Sequence, residues 1–136
     1  MIADTHVLVW LLEGDPRLGP KAMKRLEQAA VANHLHVSAI TPWEIAMLVQ
    51  KGRLALGRDV GAWITAALSL PGISLLPLEP AIAIGSVRLP GNIHADPADR
   101  IIVASARFLG APLITADRAL LDYGASGHAA VVDAAM

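Results

Sequence analysis

Met1-Ile2-Ala3-Asp4-Thr5-His6-Val7-Leu8 runs from three apolar residues through an acid into a helical pattern that continues to Glu13. Val7, Leu8, Leu11 and Leu12 share one face at the 3.6-residue period, and Gly14 and Pro16 stop the pattern. The stretch reads as a very short buried strand that passes the chain to a helix through Asp4. The same arrangement returns near the other end, where Pro112-Leu113-Ile114-Thr115 reads as a short buried strand delivering Ala116-Asp117 to a helix start. Short apolar strands separated by helical segments predict an α/β fold, a central parallel sheet flanked by helices on both faces.

The segments between these two fit that scheme. A helix is expected over Pro20–Val31, with Met23, Leu26 and Ala30 inward, followed by a strand over 35–40. Thr41-Pro42-Trp43-Glu44 has the form of a capping box, a hydroxyl cap with Glu three residues on, leading a helix to Lys51 and a stop at Gly52. A helix over 59–70, a strand over 73–76 and a short helix over 80–87 follow. Asp96-Pro97-Ala98-Asp99 opens another helix, with Asp96 as cap, Pro97 at the first position and Asp99 in the first turn, running to Gly110. The last strand is expected over 130–133. No repeat, low-complexity tract or charged tail interrupts the chain, and residues 1–136 are expected to form one domain.

Composition excludes several classes. Eleven Lys and Arg against twelve Asp and Glu leave a net charge of -1, which gives no global field for a polyanion. Without cysteine, neither a disulfide framework nor a thiolate zinc site is available, and the chain suits a reducing cytoplasm. The start lacks a basic n-region, so no signal peptide is expected. The apolar stretch over 64–85 is broken by Pro71, Gly72, Pro77, Glu79 and Pro80, which argues against a membrane span. At 54% hydrophobic residues the chain has more apolar surface than one small core hides, so a partner-covered face, such as that of a homodimer, is expected.

Against that apolar background four acids stand at junctions. Asp4, Glu44, Asp99 and Asp117 each fall at an expected strand end or helix start. Singly, each has a local explanation in helix capping or the helix dipole. Jointly they share an address, because ligands of open parallel sheets bind at the carboxyl ends of the strands. Carboxylates gathered there repel one another and raise each other's pKa unless a cation neutralises them, and hard oxygen donors suit a divalent ion.

The residues that carry these features also resemble a known family. Asp4-Thr5-His6-Val7-Leu8-Val9-Trp10, the run from Ser38 through Trp43-Glu44-Ile45-Ala46 to Lys51-Gly52-Arg53-Leu54, His94-Ala95-Asp96-Pro97-Ala98-Asp99-Arg100, and Leu113-Ile114-Thr115-Ala116-Asp117 together resemble the PIN-domain family, in particular VapC-type toxins of toxin-antitoxin pairs. The resemblance spans nearly the whole chain. It implies a PIN-like fold and an endoribonuclease whose acidic pocket binds Mg2+ or Mn2+. Asp4, Glu44, Asp99 and Asp117 match the family's acidic positions, with Asp4, Asp99 and Asp117 implied to ligate the metal and Glu44 to ligate it directly, act through water or orient the attacking water. Asp96 is either a ligand through water or a helix cap, and its setting favours the cap. Thr115 matches a hydroxyl position, and it and Arg100 are the candidates for substrate contact, with Lys51, Arg53, Arg107 and Arg118 as weaker ones. His6 and His94 are conceivable proton shuttles, while Trp10, Trp43 and Trp63 read as core or interface. The implied partners are RNA, a cognate antitoxin and a second copy of the chain. A phosphohydrolase acting on DNA or a small phosphate ester, and an inactive PIN-like binding module, stay open as alternatives.

Overall fold

A computed structural model describes residues 1–136. Five strands, β1 (Ile2–Ala3), β2 (Leu35–Ser38), β3 (Ile73–Leu76), β4 (Leu113–Thr115) and β5 (Val131–Asp133), form one sheet in the order β3-β2-β1-β4-β5. Every pairing is parallel. The helices are α1 (Thr5–Glu13), α2 (Pro20–Val31), α3 (Ile40–Gln50), α4 (Val60–Leu68), α5 (Pro80–Val87), α6 (Pro97–Leu109) and α7 (Arg118–Ala125). This is the expected parallel sheet flanked by helices.

The shortest strand sits at the centre. β1 has two residues, and its register places Ile2 beside His36 on one side and Leu113 on the other. Side chains alternate across a strand, so Ile2 and Leu113 face the layer of α6 and α7, where they pack with Ile102, Val103, Leu120 and Tyr123. Ala3, Val37 and Ile114 face the opposite layer, with Val7, Leu8, Leu26 and Trp63. Ile2, Leu26, Ile102, Leu113 and Ile114 are fully buried, and each such side chain contributes roughly 1.5–3 kcal/mol of hydrophobic stabilisation.

Several boundaries differ from expectation for identifiable reasons. β2 stops at Ser38, whose Oγ accepts a hydrogen bond from the Ile40 N–H at 3.3 Å, and α3 begins at Ile40. The N-cap of α3 is Ala39, with no side-chain cap bond, so Thr41 and Pro42 lie inside the first turn and the expected capping box does not form. Proline is tolerated there because the first-turn N–H groups have no intrahelical partner. Thr41 is instead committed to a tertiary contact described below. α4 starts at Val60 under a true cap, Asp59, which accepts from the Ala62 N–H at 2.9 Å.

One glycine is fixed by space as well as by backbone. Gly72, at φ +82°, begins the turn into β3, and a Cβ there would lie 1.9 Å from the carbonyl oxygen of Ala30 at the end of α2. Of the tryptophans, only Trp63 is buried, its Nε1 donating to Glu13 Oε1 at 2.8 Å, whereas Trp43 is 57% exposed and so does not serve the core. No helix is long and apolar enough to cross a membrane.

Candidate metal centre

Asp4 occupies the turn between β1 and α1 and is held from three directions. Its N–H donates to the Ile114 carbonyl at 3.0 Å, which fixes it to β4. Its Oδ1 accepts from the Thr5 N–H at 2.8 Å, the helix cap anticipated for it, and its Oδ2 accepts from the Thr115 hydroxyl at 2.6 Å. The same Thr115 oxygen accepts the Asp117 N–H at 3.0 Å, and Asp117 in turn caps α7 by accepting from the Leu120 N–H at 3.2 Å. Capping and convergence therefore coexist in Asp4 and Asp117.

Glu44 arrives from α3, one turn inside the helix. Its Oε1 accepts from the Thr5 hydroxyl at 2.5 Å, and Thr5 Oγ1 lies 3.0 Å from Thr41 Oγ1. Asp96 and Asp99 project from the start of α6. Carboxylate oxygens of Glu44, Asp96 and Asp99 all lie within 4.8 Å of one another, a spacing that one cation can bridge. Asp4 and Asp117 line the same cleft of about 380 Å³, and its remaining lining is His6, Trp10 and Ala116.

Five carboxylates thus share a cleft with no Lys or Arg among its lining residues. Burial, followed by the negative charges of Asp4 and Asp96, pushes Asp99 from its usual 3.8 up to about 8. Burial also raises Glu44, with Asp4 and Asp96 adding to the effect. Asp4 is raised by burial against the opposing pull of its hydrogen bonds from Thr115 and Thr5. His94 is the nearest basic group to Asp99, its Nε2 3.1 Å from Asp99 Oδ2. A set of hard oxygen donors crowded so closely that their charges repel could hold a metal cation.

The structure corrects three of the sequence expectations. Asp96 sits at the N-cap position of α6, yet its side chain makes no cap hydrogen bond and turns to Glu44 and Asp99. Thr115 is fully buried beneath Asp4 and cannot touch a substrate; it holds Asp4 and the β4–α7 turn. Arg100 points away from the acids: its guanidinium donates to the carbonyls of Ser86 at 2.9 Å, Val87 and Ile93 at 3.3 Å, and His94 at 3.5 Å. It braces the segment between α5 and α6 rather than waiting for phosphate. Arg107 is likewise occupied, at the His128 carbonyl, whereas Arg118 is largely exposed and lies 4.0 Å from Asp122.

Two participants were absent from the sequence reading. Thr5 and Thr41, both buried, connect α1 to α3 beneath the acids. Only the position of Thr5 next to Asp4 hinted at this. Thr41 was hidden by its resemblance to a helix cap. His6 and Trp10, one helical turn apart on α1, form the non-acidic wall of the cleft, with the Arg17 guanidinium 4.8 Å above the Trp10 ring.

Comparison with known proteins agrees with this architecture. The family model for the PIN domain matches residues 1–125. Ribonuclease VapC22 of Mycobacterium tuberculosis is 32% identical over 120 residues, which cover 88% of each chain. Among solved structures, a chain of the VapBC2 complex of Rickettsia felis, bound to a DNA fragment from their promoter, aligns with a TM-score of 0.70 at 16% identity over 97% of this chain and 96% of that one. A toxin-antitoxin complex from Klebsiella pneumoniae aligns with a TM-score of 0.60 at 22% identity over 96% of this chain and 94% of the other. These structural likenesses speak for the fold, while the family model and the 32% identical relative reach further: the chain belongs to the PIN-domain family, in its VapC-type branch.

Proposed function

We propose that this chain is a divalent-metal-dependent endoribonuclease, the toxin of a toxin-antitoxin pair, acting in the cytoplasm. The observation that carries the reading is the convergence of Glu44, Asp96 and Asp99 from two helices, in a cleft shared with Asp4 and Asp117. The relative named as a ribonuclease supports the choice of RNA over DNA or a small phosphate ester. Glu44, Asp96 and Asp99 would hold the ion, with Asp4 and Asp117 completing the pocket directly or through water. A bound Mg2+ or Mn2+ would supply an acidified water and neutralise charge on the phosphodiester.

The protein's own contribution is positional. Thr115 and the Thr5 N–H fix both oxygens of Asp4, and the Thr5 hydroxyl fixes Glu44. His6 and Trp10 give the entering nucleotide a stretch of the cleft wall that carries no carboxylate. An antitoxin segment bearing a basic side chain would complement the five acids, and exposed apolar residues such as Trp43, Ile84 and Val87 suit either that partner or a second copy of the chain.

The test is cleavage of RNA, single-stranded DNA and a generic phosphate ester with Mg2+, Mn2+ or chelator. RNA cleavage that needs the ion and falls at least about 100-fold in Asp99→Asn is expected. Undiminished cleavage in chelator would sink the metal reading, and hydrolysis of DNA or the ester alone would move the substrate class.

A further inference from the structure

Thr5 sits between two acids of the cleft and touches both. Its backbone N–H donates to Asp4 Oδ1 at 2.8 Å, and its hydroxyl donates to Glu44 Oε1. A hydroxyl carries one proton. Because that proton goes to Glu44, the 3.0 Å contact between the Thr5 and Thr41 oxygens must be donated by Thr41. Thr41 is fully buried and Thr5 is 1% exposed, so bulk water cannot replace either donor. Thr41 and Glu44 are also three residues apart on one face of α3, which places both within reach of Thr5.

Resting on the metal reading above, we infer that Thr41 and Thr5 form a one-way hydroxyl chain, Thr41 to Thr5 to Glu44, that positions Glu44 beside Asp96 and Asp99 for the cation. Thr5 acts on Glu44 directly, and Thr41 acts only through Thr5. A glutamate side chain has three rotatable bonds, and without the chain its carboxylate is free to leave the cleft for water. Donation by Thr41 polarises the Thr5 O–H and so strengthens its bond to Glu44. Both threonines are positioning residues, and neither touches substrate.

The experiment titrates Mn2+ alone into the purified full-length chain by calorimetry, with circular dichroism melts reporting the fold. Thr5→Val is expected to weaken Mn2+ binding about 10- to 100-fold, as loss of a partner that orients a metal ligand does. Thr41→Val is expected to weaken it less, about threefold, through lost polarisation. Thr5→Ser and Thr41→Ser, which keep the hydroxyls, are expected to bind like the unmodified chain. The deciding measurement is the double Val variant: it should match Thr5→Val, because Thr41 then has nothing to act on. Thr5→Ala, which removes the hydroxyl without placing a methyl against Glu44, replaces Thr5→Val if the latter does not fold. Unchanged Mn2+ affinity in the Thr5 variants, a double variant weaker by the product of the two single effects, or Ser variants as weak as Val would each overturn the chain. An unmodified protein that binds no Mn2+ would overturn the metal reading and this inference with it.

Discussion

Thr115→Val should destabilise this protein far more than a conservative exchange of one buried side chain suggests. Valine has nearly the same shape, so no cavity forms and the loss is purely polar. The hydroxyl donates to Asp4 Oδ2 at 2.6 Å and accepts the Asp117 N–H at 3.0 Å, at a site with no solvent exposure. Leaving a buried partner unsatisfied costs about 1–3 kcal/mol; with Asp4 buried and the Asp117 amide partly wet, the sum is about 2–3 kcal/mol. For 136 residues the unfolding entropy at the midpoint is about 0.3 kcal/mol/K, which converts the loss to about 7–10 °C in Tm. Thr115→Ser keeps both bonds and loses one buried methyl, about 1 kcal/mol, so its Tm should fall by about 3–4 °C. Calorimetric melts of the three proteins in chelator decide the matter. A Val variant melting within about 2 °C of the unmodified protein, or a Ser variant less stable than Val, would refute the assignment of Thr115 as the anchor of Asp4.

The raised pKa of Asp99 predicts an inverted pH dependence for the metal-free protein. From about pH 4 to 8 the folded chain keeps a proton that the unfolded chain releases, so stability falls as pH rises, and Tm in chelator should be higher near pH 5.5 than near 8.5; excess Mn2+ should recover the loss, and the opposite order would refute the crowding of acids. Gly72→Ala forces a side chain to φ +82° and against the Ala30 carbonyl, so it should lose more than about 3 kcal/mol in urea unfolding, while Gly57→Ala, also at positive φ but in open space, should lose about 1–2 kcal/mol. Arg100→Ala removes four bonds to carbonyls and should lower Tm by about 5–10 °C while leaving the KM for RNA within about twofold; a KM raised tenfold would return Arg100 to the substrate.

The extents of α1 and α2 were readable because Val7, Leu8 and Leu26 are both periodic in the sequence and buried in the fold, although Met23, expected inward on α2, is 41% exposed and Ala22 is buried in its place. α3 was not. Thr41-Pro42-Trp43-Glu44 meets every local criterion for a capping box, yet the Thr41 hydroxyl is fully buried beside Thr5, and a buried hydroxyl takes the partner that packing offers. Asp96 erred in the same direction: its sequence position is that of a cap, and its backbone obeys, but its carboxylate turns to Glu44 and Asp99. Convergence of the acids was inferable from the parallel sheet, since strand ends meet in space. The direction of Arg100 was not, because adjacency in a helix places Asp99 and Arg100 about 100° apart around the axis.

The two-residue strand β1 is the keystone of the sheet, and its partners arrive late. Ile2 pairs with His36 and with Leu113, so the middle of the sheet cannot close until the chain has been made through β4. During translation, at about 5–20 residues per second, Asp4 leaves the ribosome seconds before Thr115 and Asp117. A nascent chain short of β4 lacks the hydroxyl that holds Asp4, the carbonyl of Ile114 that fixes its backbone, and one wall of the cleft. The topology therefore delays assembly of the acidic cleft until β4 and the start of α7 have been made, and a polypeptide abandoned before that point carries Asp4 and Glu44 without the pocket.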